Sequence, residues 1–269
     1  MFLRALFSRA AASDAELSFR TRGAEVSRLE GFSDAVFGFA ITLLVIASAP
    51  PRTMDELLAM RHAVLPFVAS FGILFALWRA QFDFFRRYGL EDRRTVRLTG
   101  ALLMIVLLGV YPVKFLCTFV LDALPVALVR GDDSMKAMMT LEGVPKVLLL
   151  YALGYAGIAF VFARLYRHAG TQHATLGLSA DERFDTRLLE QRWRGMFHVG
   201  LAIIVWTLGM LSLGAHIAAR DAVWRLGYLG GWLLLVGTAA VQRRTLGRLR
   251  ATRATPDTLD VAAMAPPLA

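Results

Sequence analysis

Cysteine is nearly absent from this chain: Cys117 stands alone in 269 residues, so no intrachain disulfide can hold the fold. It sits in an apolar run and reads as a small, inert hydrophobe. Charge is also scarce, at 19% of residues, and no polar stretch is long enough for a sizeable aqueous domain. The five histidines (His62, His168, His173, His198, His216) lack the i, i+4 spacing and carboxylate company of a metal site, so neither a metal nor a cofactor is expected. No nucleophile with a nearby base, phosphate-cradling glycine loop or paired carboxylate site occurs inside the apolar runs, which argues against an enzyme. The first apolar block follows 27 polar, Arg-bearing residues with no small-residue cleavage site after a short apolar core. A removable signal peptide is therefore not expected, and the first helix should stay.

What the chain does have is long apolar runs. Hydrophobic residues make up 57% of it and the mean hydropathy is +0.53. Cut at charges and Pro/Gly clusters, the runs fall near 29–49, 62–85, 98–121, 144–165, 196–217 and 223–241. Each suits a helix rising 1.5 Å per residue across a hydrocarbon core of ~30 Å, about twice the length a barrel strand needs. The fold class expected is all-α integral membrane, a six-helix bundle over 28–244. An N-terminal segment, 1–27, precedes it, and a Pro-, Ala- and Thr-bearing tail, 245–269, reads as disordered.

Lys and Arg set the orientation. Of 30, 21 lie in the N-terminus, the second and fourth connections and the C-terminus, while seven lie in the alternate connections. Positive charge collects on the cytoplasmic side, so both termini are expected there, in a multi-pass protein of the plasma (inner) membrane. The net charge of +9 follows from this flanking pattern and gives no reason to expect nucleic acid. Clusters such as Arg86-Arg87 and Arg93-Arg94 are also suited to anionic headgroups, at roughly 1 kcal/mol per basic residue. In the fourth connection, Ser179-Ala-Asp-Glu182 fits a helix N-cap with an acidic first turn.

Residues 28–46 place Ser33 and Asp34 inside the first apolar run. A carboxylate at membrane depth costs roughly 2.5–3.5 kcal/mol on insertion scales and persists where it faces a bundle interior or wet cavity. Projected at ~100° per residue from Phe39, the residues Phe32, Ala35, Leu43 and Ile46 form a stripe with Thr42 at its border. Ser33 and Asp34 fall well off it, in opposite senses. Either the stripe lines a pore and the polar pair meets neighbouring helices, or the pair faces water and the stripe faces lipid. In the second run, Arg79 lies at a depth similar to Asp34. It has three possible fates: pairing with Asp34 across helices, pairing with Asp83 at i, i+4, or snorkelling to the interface. Pro66 and Pro112 are expected to kink their helices, and Lys114 to snorkel. Gly154 and Gly157, with Gly227, Gly230 and Gly231, are expected at close helix contacts.

Arg28-x-x-x-Phe32-Ser33-Asp34-Ala35, continued by Val36 to Val45, resembles the first-helix signature of the transmembrane protein 175 family, lysosomal-type potassium channels with prokaryotic relatives. Trp78 and Phe85 are similar to the Trp and terminal Phe of that family's second-helix pattern. The resemblance implies a homotetramer of six-helix subunits whose first helices line one pore, with bulky apolar residues as its constriction. Carried onto this chain, the pore positions are Phe39, Leu43 and Ile46, with Thr42 nearby. Arg28, Phe32, Ser33 and Asp34 form the motif and, with Trp78, Arg79 and Gln81, the network anchoring the first helix. This chain departs from the pattern in two places. Phe39 replaces a smaller aliphatic residue, and Gln81-Phe82 replaces a His-His pair, leaving Gln81, with Arg79, to serve the Ser/Asp network. Four Phe rings around one axis would close the pore more tightly or need rotamer changes to open it. The function implied is a potassium-preferring cation channel with passive permeation. A proton-coupled carrier titrating Asp34 and a non-conducting scaffold are the competing readings.

Overall fold

The computed structural model describes residues 19–23, 25–47, 51–123, 143–216, 236–245, 247 and 248. All regular elements among them are helical: α1 (Arg28–Ile46), a short α2 (Met54–Ala59), α3 (Arg61–Tyr88), α4 (Arg93–Thr118), α5 (Gly143–Thr171) and α6 (Ala180–His216). A π-turn, Phe119–Ala123, extends α4, and 236–245 are also helical. Five of these helices are long and apolar enough to cross a membrane. Most of the sixth expected run, 223–241, and nearly all of the tail lie outside the described residues.

Local chemistry fixes the boundaries. At the start of α1 the Ser27 hydroxyl accepts from Glu30 N–H (3.0 Å), and beyond its end Pro50 and Pro51 have no N–H to extend a helix. α3 stops at Gly89, which takes the left-handed conformation (φ 57°) and donates its N–H to Phe85 O at 2.8 Å. Asp92 restarts the chain as α4, accepting from Arg94 N–H and the Thr95 hydroxyl. Ser179 and Glu182 cap α6 reciprocally, Ser179 Oγ accepting from Glu182 N–H and Glu182 from Ser179 N–H. Both expected kink sites stay inside unbroken helices: Pro66 in α3 and Pro112 in α4.

The chain divides into two compact units. The first comprises Met1–Gly131 with Thr171–Glu182, and its core is a bundle in which α1, α3 and α4 pack pairwise. Phe37, Ala40 and Leu44 of α1 are buried there with Leu74 and Phe84 of α3 and Leu102, Val106 and Val110 of α4. The second comprises Asp132–Gly170 with Arg183–Ala269. In it Phe162 of α5 stacks on Trp193 of α6 at 4.3 Å, and the Tyr155 hydroxyl meets that of Thr238 at 2.7 Å. Of the close approaches expected, the one at Gly154 is not made. A Cβ on Gly154 would meet nothing within 4 Å, whereas one on Gly200 would lie 2.8 Å from Ala156 Cβ. The tight crossing of α5 and α6 is thus built on Gly200, while Gly227, Gly230 and Gly231 lie outside the described residues.

Candidate functional site

The first unit gives α1 two unlike faces. Its inner face buries Glu30, Ser33, Phe37, Ala40 and Leu44 against the bundle. Its outer face carries Phe32, Ala35, Phe39, Thr42 and Ile46 uncovered and Leu43 half-covered, with Phe39 55% and Ile46 65% exposed. Thr42 directs its hydroxyl back to Gly38 O (2.9 Å), so its own helix satisfies the one polar group of the stripe.

The polar pair splits, each member leaving the stripe by a different side. Ser33 turns inward and donates to Leu29 O at 2.8 Å. Asp34 lies on the exposed flank and accepts from the Trp78 indole Nε1–H of α3 at 2.8 Å. An aromatic ladder along α3, Phe71, Phe75, Trp78 and Phe82, with successive centroids 5.9, 5.3 and 5.4 Å apart, positions that indole. Arg79 does not reach Asp34. Its guanidinium pairs with Asp83 one turn on (2.9 Å), in an exposed position. The inter-helix pair is therefore replaced by the local one, because one residue's rotation about α3 turns Arg79 ~100° from Trp78. Arg28 is exposed at the helix start, its side chain making no hydrogen bond or ion pair among the described residues. Gln81 is buried, and neither polar atom of its amide has a protein partner. Phe82 lies under the Arg86 guanidinium, 5.1 Å from its ring centre.

Ahead of α1, residues 19–23 form a strap that the sequence pattern did not reveal. Arg22 and Gly23 donate their N–H groups to Arg86 O at the end of α3 (3.1 and 3.2 Å), and Arg86 returns a bond to Gly23 O at 2.9 Å. Gly23 is needed for this approach, since a Cβ there would lie 2.6 Å from Phe85 O. The Arg22 guanidinium grips the Glu182 carboxylate (2.6 Å) and donates to Leu176 O (2.7 Å) and Gly177 O (3.2 Å). Glu182 also accepts from Arg20 N–H at 2.9 Å. Phe19 packs edge-on against Tyr88, with the Arg87 guanidinium over its ring. One turn into α1, buried Glu30 faces Arg86 at 3.5 Å. Strap, α3 and α1 border a cavity of about 370 Å³ lined by Arg22, Glu25, Ser27, Glu30, Phe85 and Glu91 among others. Two ion pairs, Arg22 with Glu182 and Arg86 with Glu30, are thus made before α1 enters its apolar stretch.

A sequence profile of the family described as endosomal/lysosomal potassium channel TMEM175 matches residues 28–109, which take in α1, α3 and most of α4. A protein of Marivirga tractuosa named as a potassium channel is 35% identical over 172 residues, 63% of this chain and 70% of that protein. The chain belongs to the TMEM175 family. A Chamaesiphon minutus protein, also named a potassium channel, is 28% identical over 197 residues, covering 70% of this chain and 86% of its own length. The crystal structure of a variant of the potassium channel MtTMEM175, held by a nanobody–MBP fusion, matches with a TM-score of 0.73 at 30% identity, over 87% of this chain and 97% of that one.

The TMEM175 match contains every site residue expected from the sequence, Arg28 to Gln81, while Arg22 and Glu182 of the strap lie outside it. One signal could have found part of the omitted set. Ser27-x-x-Glu30 is a capping-box pattern at the head of α1, and Glu30 leads to Arg86.

Proposed function

We propose that this TMEM175-family chain is a potassium-preferring cation channel. In this reading six spans over 28–244 form each subunit, with both termini in the cytoplasm of a multi-pass plasma-membrane protein. Four copies set their α1 helices around one pore. The observation that carries the reading is the outward stripe of exposed Phe39 and Ile46 with half-covered Leu43, in a chain whose relatives are named potassium channels. An apolar stripe backed by a packed, polar-bearing face suits a pore helix: the bundle holds one side, and four copies of the other meet on an axis. Permeation is passive. A cation passes the ring formed by Phe39, Leu43 and Ile46 partly dehydrated, and the narrow apolar passage penalises the more strongly hydrated sodium ion. In this reading the Asp34–Trp78 bond and the buried Ser33 hold α1 on the bundle, within the motif that runs from Arg28 through Phe32, while Arg79 pairs with Asp83 and stands outside that network. No catalytic step is proposed.

Purified protein reconstituted in liposomes tests this by potassium-driven flux, with sodium substituted in parallel and empty vesicles as control. Selective, non-saturating flux is expected. Phe39→Ala should raise it and weaken selectivity; lowering the barrier by ~1.4 kcal/mol corresponds to about a tenfold rise. Flux that saturates, follows pH and vanishes in Asp34→Asn would instead identify a proton-coupled carrier. Background flux from a folded tetramer would favour a scaffold.

A further inference from the structure

Polar side chains are few in the buried core of the first unit, and three of them share one level. α1 begins, α3 ends and α4 begins at the same end of the bundle, because Arg86 O receives the strap N–H groups and only Gly89–Asp92 separate α3 from α4. Counted from that end, Ser33, Gln81 and Thr99 sit five, seven and six residues along their helices, or about 7–11 Å deep at 1.5 Å per residue. All three are at most 2% exposed. The next levels inward are Phe37, Ala40 and Leu44 on α1, against Leu74 on α3 and Leu102 and Val106 on α4.

This layer is not satisfied by protein. The Gln81 amide leaves both Nε2 and Oε1 without a partner, and the Thr99 hydroxyl has none either. Thr99 stands apart from Ser33, Ser70, Thr118 and Thr207, whose hydroxyls all donate to the carbonyl four residues back. Its own helix therefore does not use its hydroxyl. Leaving a buried amide and hydroxyl unpaired is costly, and proteins meet that cost with enclosed water making two to four bonds. We propose that Ser33, Gln81 and Thr99 enclose a bound-water site behind the pore helix. About one or two water molecules there accept from Gln81 Nε2–H, donate to Oε1 and bridge to the Thr99 hydroxyl. Ser33, already donating to Leu29 O, contributes an acceptor lone pair. No carboxylate is buried in the layer: Asp34 and Asp83, at the same depth, are taken up by Trp78 and Arg79, and Glu30 one turn away faces Arg86, so the ligand is neutral and must both donate and accept. Water matches that demand and a cation does not. The seat of α1 thus rests on solvent at this level, where a direct side-chain bond would otherwise hold it.

The site goes beyond the channel reading and rests on packing alone, so a folded protein that passes no ion leaves it standing. Thermal melting of the full-length protein in detergent tests it, comparing Gln81→Met, Thr99→Val and the double variant. A shared water predicts that each single change lowers the melting temperature by about 2–4 °C, and that the double falls by less than their sum. A single variant that melts higher than the parent would show that the layer is dry, and additive losses would show that the two groups share nothing; either overturns the site. Should a variant fail to fold, a high-resolution density map of the unmodified protein decides. A water-sized peak within hydrogen-bond reach of both Gln81 and Thr99 supports the site, and an empty layer removes it.

Discussion

Along α1, the side chains turned away from the bundle include the large apolar Phe32, Phe39, Val45 and Ile46, while those turned toward α3 and α4 include a carboxylate, Glu30, and a hydroxyl, Ser33. A helix on a water-soluble bundle would carry the opposite arrangement. In a bilayer the contrast has a simple cause: lipid offers no hydrogen-bond partner, so polar groups gain by turning inward, and apolar burial within the subunit gives little advantage over lipid contact. Phe39 and Phe37 make the comparison sharp, since they are one residue type two positions apart, 55% and 1% exposed. Phe37 is held by the bundle of α1, α3 and α4. Phe39 is left for whatever the chain meets, which in the proposed assembly is the pore axis.

The largest expected effect breaks the two faces apart. Phe37→Ala removes a ring from a closed core and should cost ~3–5 kcal/mol, seen as a strong fall in melting temperature and in recovery of folded protein. Phe39→Ala should leave the melt close to that of the parent and act on ion flux. If both variants melt equally low, Phe39 is a core residue of the assembly and the stripe does not face a pore.

What the sequence made legible followed the physics each feature obeys. Five of the six apolar runs match helices of membrane-spanning length, because run length reports directly on hydrocarbon thickness. The stripe was legible because helical rotation per residue is fixed, and the opposite senses of Ser33 and Asp34 reappear as one inward and one flanking side chain. The partner of Asp34 was not legible. Depth alone ranks Trp78 and Arg79 equally, and charge favours the Arg, but the rotation of α3 presents the indole. Gly154 misled because a small residue permits close approach without requiring it; the helices close on Gly200. The Arg22–Glu182 contact joins residues 160 apart, and nothing local to either announces it.

The strap offers a second contrast, between the charge-matched entrance to α1 and the apolar helix it leads into. Arg22→Ala or Glu182→Ala leaves a mostly buried charge without its partner and should cost ~2–3 kcal/mol. Melting temperature and trypsin cleavage within residues 19–23 check this. Exchanging the two, Arg22→Glu with Glu182→Arg, should recover only part of the loss. Arg22 also donates to Leu176 O and Gly177 O, and Glu182 accepts from Arg20 N–H and Ser179 N–H, bonds that the exchanged side chains cannot remake. Full recovery would reduce the strap to a simple ion pair.

The smallest effect concerns two neighbours on α3 that face different partners. Trp78→Phe keeps an aromatic ring in the ladder but withdraws the only donor that reaches Asp34 among the described residues, which should cost ~1 kcal/mol, or about 2–4 °C of melting temperature. Arg79→Ala removes an exposed i, i+4 pair with Asp83 and should cost no more than ~0.3–0.5 kcal/mol. Asp34→Asn should resemble Trp78→Phe, since an amide oxygen still accepts from the indole but without the charge that strengthens the bond. Adding Trp78→Phe to Asp34→Asn should then cost less than the two separate losses together, whereas adding Arg79→Ala should be simply additive. The reverse pattern, with Arg79 and Asp34 coupled and Trp78 independent, would mean that in the assembled protein Asp34 is held by the guanidinium after all, and that one subunit alone does not fix the outer flank of α1.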